Sequence, residues 1–163
     1  MNYSVFIKNL DKKLKQYFEL HKEYICCCMG CSFCCEKGDY PISQVELEYL
    51  MHGFMVLPDN IKRLVQENIK NIQKGKICPF LIDKKCSVYE YRPIICRVHG
   101  LAYLCKDGVV KIPYCVNNGK NYTNVYKDGM VTINPIKENL DTPNVLKDID
   151  FGEIRNLIDW INP

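Results

Sequence analysis

Hydrophobic residues recur at helical steps from the start of the chain. Phe6, Leu10, Leu14, Tyr17 and Phe18 follow at three- and four-residue intervals, with lysines and acids between them. This predicts an amphipathic helix over about Ser4–Tyr24 with its apolar face toward a core. Ser43 followed by Glu46 spells a capping box, so a helix should begin there and run to about His52, before Gly53. Pro58 opens a further helix with Ile61, Leu64, Val65, Ile69 and Ile72 on one face, and Gly75 is placed to stop it. A last helix is expected over Ile149–Ile161, with Phe151, Ile154, Leu157, Ile158 and Trp160 mostly inward.

Between these helices the pattern shortens. Cys78–Ile82, a turn at Asp83–Lys85, and Cys86–Tyr89 read as a small hairpin or knuckle, and Pro93 heads a helical turn. Leu101–Leu104 and Val109–Ile112 flank Asp107-Gly108, a hairpin signal that Asp128-Gly129 repeats. Asn134–Asn144, with two prolines, reads as a loop. The fold class is α+β: a mainly helical small domain with short β-hairpins around a cysteine-ligated metal site. No composition shift marks a boundary, so a single domain over residues 1–163 is expected.

Composition fits that picture, with 47% hydrophobic and 25% charged residues in 163. A net charge of +3 argues for neither nucleic acid nor an anionic membrane. No apolar run is long enough to span a bilayer. Met1–Leu20 lacks the apolar core of an export signal, so the expected compartment is the reducing cytoplasm, where disulfides are rare. The chain has 11 cysteines, an odd number that cannot pair completely.

The cysteines change the picture most. Six of them fall within residues 26–35, and Cys28, Cys31, Cys34 and Cys35 form CxxCxxCC. Two-residue spacers let successive thiolates turn onto one centre, with Gly30 easing the loop. Thiolates so dense need a cation or cluster to neutralise them. Cys28-x2-Cys31-x2-Cys34 matches the first three ligands of a bacterial ferredoxin run, whose fourth thiolate comes from a distant cysteine followed by proline; Cys78-Pro79 could supply it, as could Cys86 or Cys96. Spacing favours an iron–sulfur cluster of the [4Fe–4S] type, with zinc the alternative. Adjacent Cys34 and Cys35 would point apart on an extended backbone. Cys26 and Cys27 read as small buried side chains, and Cys105 and Cys115 as core residues or ligands of a second site. Lys37, Lys84, Lys85, Arg92, Arg97 and His99 are available to offset the charge of the centre, or are ordinary surface cations. His99 is the one histidine spaced to ligate, with a hydrogen-bonding role preferred. Cys27, Cys31 and Cys34 also spell CxxxCxxC, a pattern of radical S-adenosylmethionine enzymes, but no alternating strand–helix units of a barrel follow. No nucleotide-binding, zinc-protease or serine-hydrolase motif occurs.

Taken together, Cys28-x2-Cys31-x2-Cys34-Cys35, Cys78-Pro79-Phe80-Leu81, Cys86-Ser87-Val88-Tyr89-Glu90-x-Arg92-Pro93 and Cys96-Arg97 resemble the CxxCxxCC family, the YkgJ-type cysteine cluster. The family-like core covers about residues 26–100. The resemblance implies a zinc- or iron-chelating domain and a ligand pool of Cys28, Cys31, Cys34, Cys35, Cys78, Cys86 and Cys96, with Arg92-Pro93 presenting Cys96. Ser32 and Phe33 stand where the family often has glycine. A similar domain occurs in flagellin lysine N-methylases, so S-adenosylmethionine-dependent methyl transfer to protein lysines is an alternative function the resemblance implies. A thiol-redox or metal-handling protein is the third. The first expectation is a metal-binding protein with a structural or redox centre, its partner a metal ion or cluster, with any protein partner unspecified.

Overall fold

The computed structural model describes residues 2–28, 30–72 and 77–162. In chain order the elements are helix α1 (Tyr3–Leu20), strand β1 (Pro41–Ser43), α2 (Gln44–Met55), α3 (Asp59–Lys70), β2 (Leu81–Ile82), β3 (Lys85–Cys86), α4 (Ile94–Val98), β4 (Tyr103–Leu104), β5 (Val110–Lys111), β6 (Tyr126–Lys127), β7 (Met130–Val131), α5 (Thr142–Val145), β8 (Ile154–Asn156) and α6 (Leu157–Ile161). The protein is therefore α+β, with helices joined by short antiparallel strand pairs. They gather into two compact units, Met1–Cys28 with Arg97–Ile149, and Met29–Cys96 with Asp150–Pro163.

In the first unit α1 buries Ile7, Leu10 and Leu14, and the side chain of Asn2 caps its start by accepting from Ser4 N–H at 3.0 Å. The helix stops at Leu20, and Lys22–Tyr24 form a separate tighter turn. The two expected hairpins are present as β4–β5 and β6–β7. Asp128 and Gly129 both adopt positive φ, as a two-residue turn between right-twisted strands requires. The expected loop over 134–144 is more ordered than that. Ile136 is buried and pairs with the β4 segment, donating to Ala102 O at 2.9 Å and accepting from Leu104 N–H at 2.9 Å. Pro143 then falls in the first turn of α5, where its missing N–H costs nothing. Ala102, Val116 and Tyr122 form a small core, and the Tyr122 hydroxyl meets His21 Nδ1 and the Ala102 N–H, each at 2.9 Å.

In the second unit the core joins Ile42, Leu50, Phe54, Val65, Phe80, Val88 and Leu157. The capping box at Ser43 and Glu46 forms as the sequence predicts. Gly53 does not end α2, which continues to Met55, because the glycine lies against the Tyr91 ring: a Cβ there would stand 2.4 Å from Tyr91 Cγ. In α3 the buried residue is Val65, whereas Leu64 is 41% exposed. The stop expected at Gly75 lies outside the described residues.

The last helix is shorter than expected. Residues 154–156 are strand β8, paired antiparallel with β1 so that Ile42 faces Arg155, and only Leu157–Ile161 is helical. The apolar spacing was met by tertiary pairing instead of a helix. The main chain of this segment also supplies acceptors to α2, whose first N–H groups have no partner within their own helix: Gln44 N–H bonds Glu153 O at 2.9 Å and Val45 N–H bonds Phe151 O at 3.3 Å. No helix among the described residues is long and apolar enough to cross a membrane.

Candidate metal centre

A turn over residues 32–36 presents the first pair of thiols. Glu36 N–H bonds Ser32 O at 3.0 Å, and Ser32 Oγ donates to Glu36 Oε1 at 2.6 Å. Cys34 therefore has helical φ and ψ of −68° and −36°. Neighbouring side chains on such a turn diverge by roughly 100°, not the half-turn of an extended chain, so both sulfurs can face one region. The backbone here is not extended, so the divergence expected of an extended chain does not arise. The Tyr40 hydroxyl fixes the turn from behind by donating to Cys34 O at 2.9 Å.

Cys78 is joined to this turn through the main chain. Its N–H bonds Cys35 O at 2.8 Å, and Gly38 N–H reaches the same carbonyl at 3.2 Å. The close approach needs a glycine, since a Cβ on Gly38 would lie 2.6 Å from both Cys35 O and Cys78 Cβ. Cys86 follows on β3, opposite Leu81 of β2, across a turn in which Asp83 and Lys84 take positive φ. Cys96 sits on α4. The N-terminus of that helix is held by Glu46, whose buried Oε1 accepts the Ile94 N–H at 2.8 Å.

These paths bring Cys34, Cys35, Cys78, Cys86 and Cys96 into one neighbourhood, close enough for their charges to act on one another. Burial pushes the Cys78 thiol up to about 12, with the charges of Cys86 and Cys34 adding to the rise. Burial also raises the Cys96 thiol well above its ordinary value, and the charges of Cys78, Cys86 and Cys34 oppose its ionisation as well. The adjacent thiols of Cys34 and Cys35 act on one another, which holds Cys34 down and Cys35 up. Each of the five residues is only partly exposed. Cys28 and Cys31 are exposed. Among the described residues no three His, Cys, Asp or Glu side chains stand at metal-ligand geometry. The thiols are gathered as neighbours, not closed into a cage.

The donor chemistry fits a soft-metal centre. The set is all sulfur, which suits zinc or iron–sulfur in preference to hard cations. A group of thiols that repel one another's ionisation is stabilised as thiolates by a bound cation. Ser87 provides a second observation: its Oγ is buried without a hydrogen-bond partner among the described residues, directly after Cys86. Sulfur atoms of a thiolate-bound metal accept hydrogen bonds, so a hydroxyl donor there suits such a group.

Residues 27–125, more than half of the chain, match the profile of the CxxCxxCC family, described as "Putative zinc- or iron-chelating domain". The chain belongs to the CxxCxxCC family. It is also similar to an uncharacterized protein of Methanocaldococcus jannaschii, 28% identical over 97 residues that cover 53% of this chain and 50% of the relative. The chain thus spans about half the length of the curated relative it matches. No solved structure matches.

The other cysteines of this CxxCxxCC protein have surroundings of their own. Cys26 and Cys27 are exposed, which corrects their reading as buried side chains. Asn121, 1% exposed, accepts from Cys26 N–H at 2.8 Å and donates to Cys27 Sγ at 3.1 Å and Gly100 O at 3.0 Å. Cys115 is buried, and burial with the nearby charge of Asp141 raises the Cys105 thiol. Arg97 is not a surface cation: its side chain is 1% exposed and its guanidinium binds both Asp11 carboxylate oxygens, at 2.6 and 2.5 Å. His99 packs against Tyr114, with ring centroids 5.6 Å apart, and burial lowers its pKa to about 4. Sequence reasoning passed over Gly38, Ser87 and the second role of Glu46. Only Gly38, inside a strong turn signal, left a trace in the sequence.

Proposed function

We propose that this chain holds a metal centre on the thiolates of Cys34, Cys78, Cys86 and Cys96, with an iron–sulfur cluster preferred and zinc the alternative. The observation that supports it is the gathering of thiols from three separated cysteine segments around Cys96, with Cys78, Cys86 and Cys34 all acting on that one sulfur. Four thiolates complete the coordination of either group. Cys34 beside it holds the Cys35 thiol protonated, so Cys35 is then a neighbour of the ligands and not a ligand itself. When bound, the group supplies cross-linking of the three segments, and in its iron–sulfur form one-electron redox chemistry. The chain's own part is to fix the thiols. Cys35 O holds Cys78, Glu46 holds the head of α4, and Gly38 admits the close approach.

The test is metal and acid-labile sulfide content, with a visible spectrum, on protein purified without oxygen. Iron with near-equal sulfide is the expected result, and stoichiometric zinc without sulfide selects the alternative. Cys96→Ala should yield metal-free or insoluble protein, while Cys31→Ala and Cys28→Ala keep the metal. Wild-type protein without bound iron or zinc, or a Cys96→Ala variant that keeps its full metal content, would overturn the reading.

A further inference from the structure

We propose that two copies of this chain pair edge to edge along β8, antiparallel, with Ile154 of each copy on the two-fold axis. The metal reading plays no part in this, since neither strand of the sheet carries a cysteine. β8 pairs with β1 as Pro41–Asn156, Ile42–Arg155 and Ser43–Ile154. Two bonds flanking this register, from Leu157 N–H to Tyr40 O and from Gln44 N–H to Glu153 O, both at 2.9 Å, set its parity. Opposite residues of an antiparallel ladder alternate between bonded and non-bonded pairs. Arg155 and Ile42 are therefore a bonded pair, and Ile154 directs its N–H and C=O away from β1. Neither group has a hydrogen bond among the described residues. The Ile154 residue is 38% exposed, and Arg155 and Asn156 are exposed as well. The outer edge of β1 is closed by contrast. Pro41 has no N–H there, and the Ser43 N–H is held by Glu46 Oε2 at 2.7 Å. The sheet thus offers one open edge, a template for another strand.

The same parity fixes the register with a second copy. Arg155 cannot lie on the axis, because its main-chain groups face Ile42 and its charge would meet another Arg155. Asn156 on the axis would set Arg155 opposite Leu157, which is already the first residue of α6. Ile154 on the axis satisfies every condition. The two isoleucines exchange both N–H···O bonds, and Glu153 of each copy stands opposite Arg155 of the other. Those flanking pairs are non-bonded ones, where side chains approach most closely. Read in reverse, Glu153-Ile154-Arg155 is its own complement in charge. Within one copy Arg155 Nε already donates to Glu153 Oε2 at 2.8 Å, so both charges stand on one side of the strand. Pairing would close them into an alternating ladder of four. This self-complementarity selects a second copy over an unrelated extended peptide. The ladder is short, because Gly152 turns the chain at one end, with φ of +68°, and α6 begins at the other. A pairing of this size is weak and transient.

The experiment is sedimentation velocity on the full chain, over a concentration series reaching the millimolar range. It compares wild type, Glu153→Arg, Arg155→Glu, an equimolar mixture of those two variants, and Ile154→Pro. Wild type should pass from monomer to dimer as concentration rises. Each charge variant alone places like charges opposite one another twice, so it should self-associate at least about tenfold more weakly. In the mixture every cross-strand pair is again Glu against Arg, and dimer should return at about the strength of wild type. Recovery on mixing separates a pairing surface from a variant that has merely lost its fold. Ile154→Pro removes an N–H that faces away from β1, at an edge where a sheet tolerates proline, and should stay monomeric throughout. Wild type that remains monomeric at every concentration would overturn the proposal. So would a mixture that associates no better than its components, or a charge variant or Ile154→Pro chain that dimerises as wild type does.

Discussion

Glu46 and Ile94 are joined across 48 residues of sequence by a single buried hydrogen bond: Glu46 Oε1 accepts the Ile94 N–H at 2.8 Å. The other oxygen of the carboxylate, Oε2, takes Ser43 N–H and Ser43 Oγ, both at 2.7 Å. One acidic side chain thus starts α2 and fixes the first residue of α4, two positions before Cys96. A capping-box glutamate ordinarily serves its own helix. Here it also sets where a candidate ligand helix begins.

Removing that carboxylate should therefore be costly. Glu46→Ala leaves the Ser43 and Ile94 N–H groups without their acceptor in a buried place, and the expected loss is about 3 kcal/mol. Glu46→Gln offers one acceptor and one donor where three donors converge, so it should recover only part. Urea unfolding of the purified variants measures both. Glu46→Ala with wild-type stability would show that the link holds nothing.

Gly38 gives a cleaner steric test. Its φ is −72°, so Gly38→Ala demands no left-handed backbone. It does place a methyl group 2.6 Å from Cys78 Cβ and Cys35 O. The bond from Cys78 N–H to Cys35 O should lengthen and the two thiol segments separate. Iron or zinc content should fall well below wild type, while Gly108→Ala, where nothing lies within 4 Å of the new Cβ and the φ of +73° strains only its own hairpin turn, should leave it unchanged. Full metal content in Gly38→Ala would show that the close approach is dispensable.

These residues also mark how much the sequence could disclose. Helices α1, α2 and α3 were legible because each carries its own period or cap, and the β4–β5 and β6–β7 hairpins because each is closed by an Asp-Gly turn. What could not be read was long-range pairing. Ile154 has helical spacing from Phe151 and Leu157, yet its segment joins the main chain of Pro41–Ser43, a partner more than a hundred residues away. The same limit applies to the site. Spacing drew attention to Cys28, Cys31 and Cys34, because short spacers are visible in a sequence, and the family resemblance added Cys35, Cys78, Cys86 and Cys96 to the ligand pool. Convergence of Cys34, Cys35, Cys78, Cys86 and Cys96 depends on Gly38, on the β2–β3 turn and on Glu46, whose joint effect no local pattern carries.

His99 gives the molecule a predictable response to acid. Burial, with the nearby charge of Lys111 adding to it, lowers its pKa from 6.5 to about 4 in the folded chain. Between those values the unfolded chain binds a proton that the folded chain does not, so stability falls as pH falls below 6.5 and levels off near 4. The loss should reach about 2 kcal/mol at pH 5 from this group alone. His21, also buried, shifts in the same direction. Denaturant unfolding at pH 7 and pH 5 should show the decline, and His99→Gln should remove most of it. Equal pH dependence in wild type and His99→Gln would assign the acid response to other groups.

Ser87 should change the sign of its contribution when the centre is loaded. In the chain alone its hydroxyl is buried with no hydrogen-bond partner among the described residues, an arrangement that costs about 1–3 kcal/mol relative to a satisfied group. Ser87→Ala removes the orphaned oxygen at almost no change in volume, so the chelator-treated variant should melt higher than chelator-treated wild type. With metal bound, the hydroxyl next to Cys86 has thiolate sulfur to donate to, and losing that bond should weaken Co²⁺ binding severalfold. Thermal melts with and without metal, together with the Co²⁺ titration, measure the two effects separately. A variant that melts higher in both conditions and binds Co²⁺ as tightly as wild type would mean that Ser87 makes no bond to the centre.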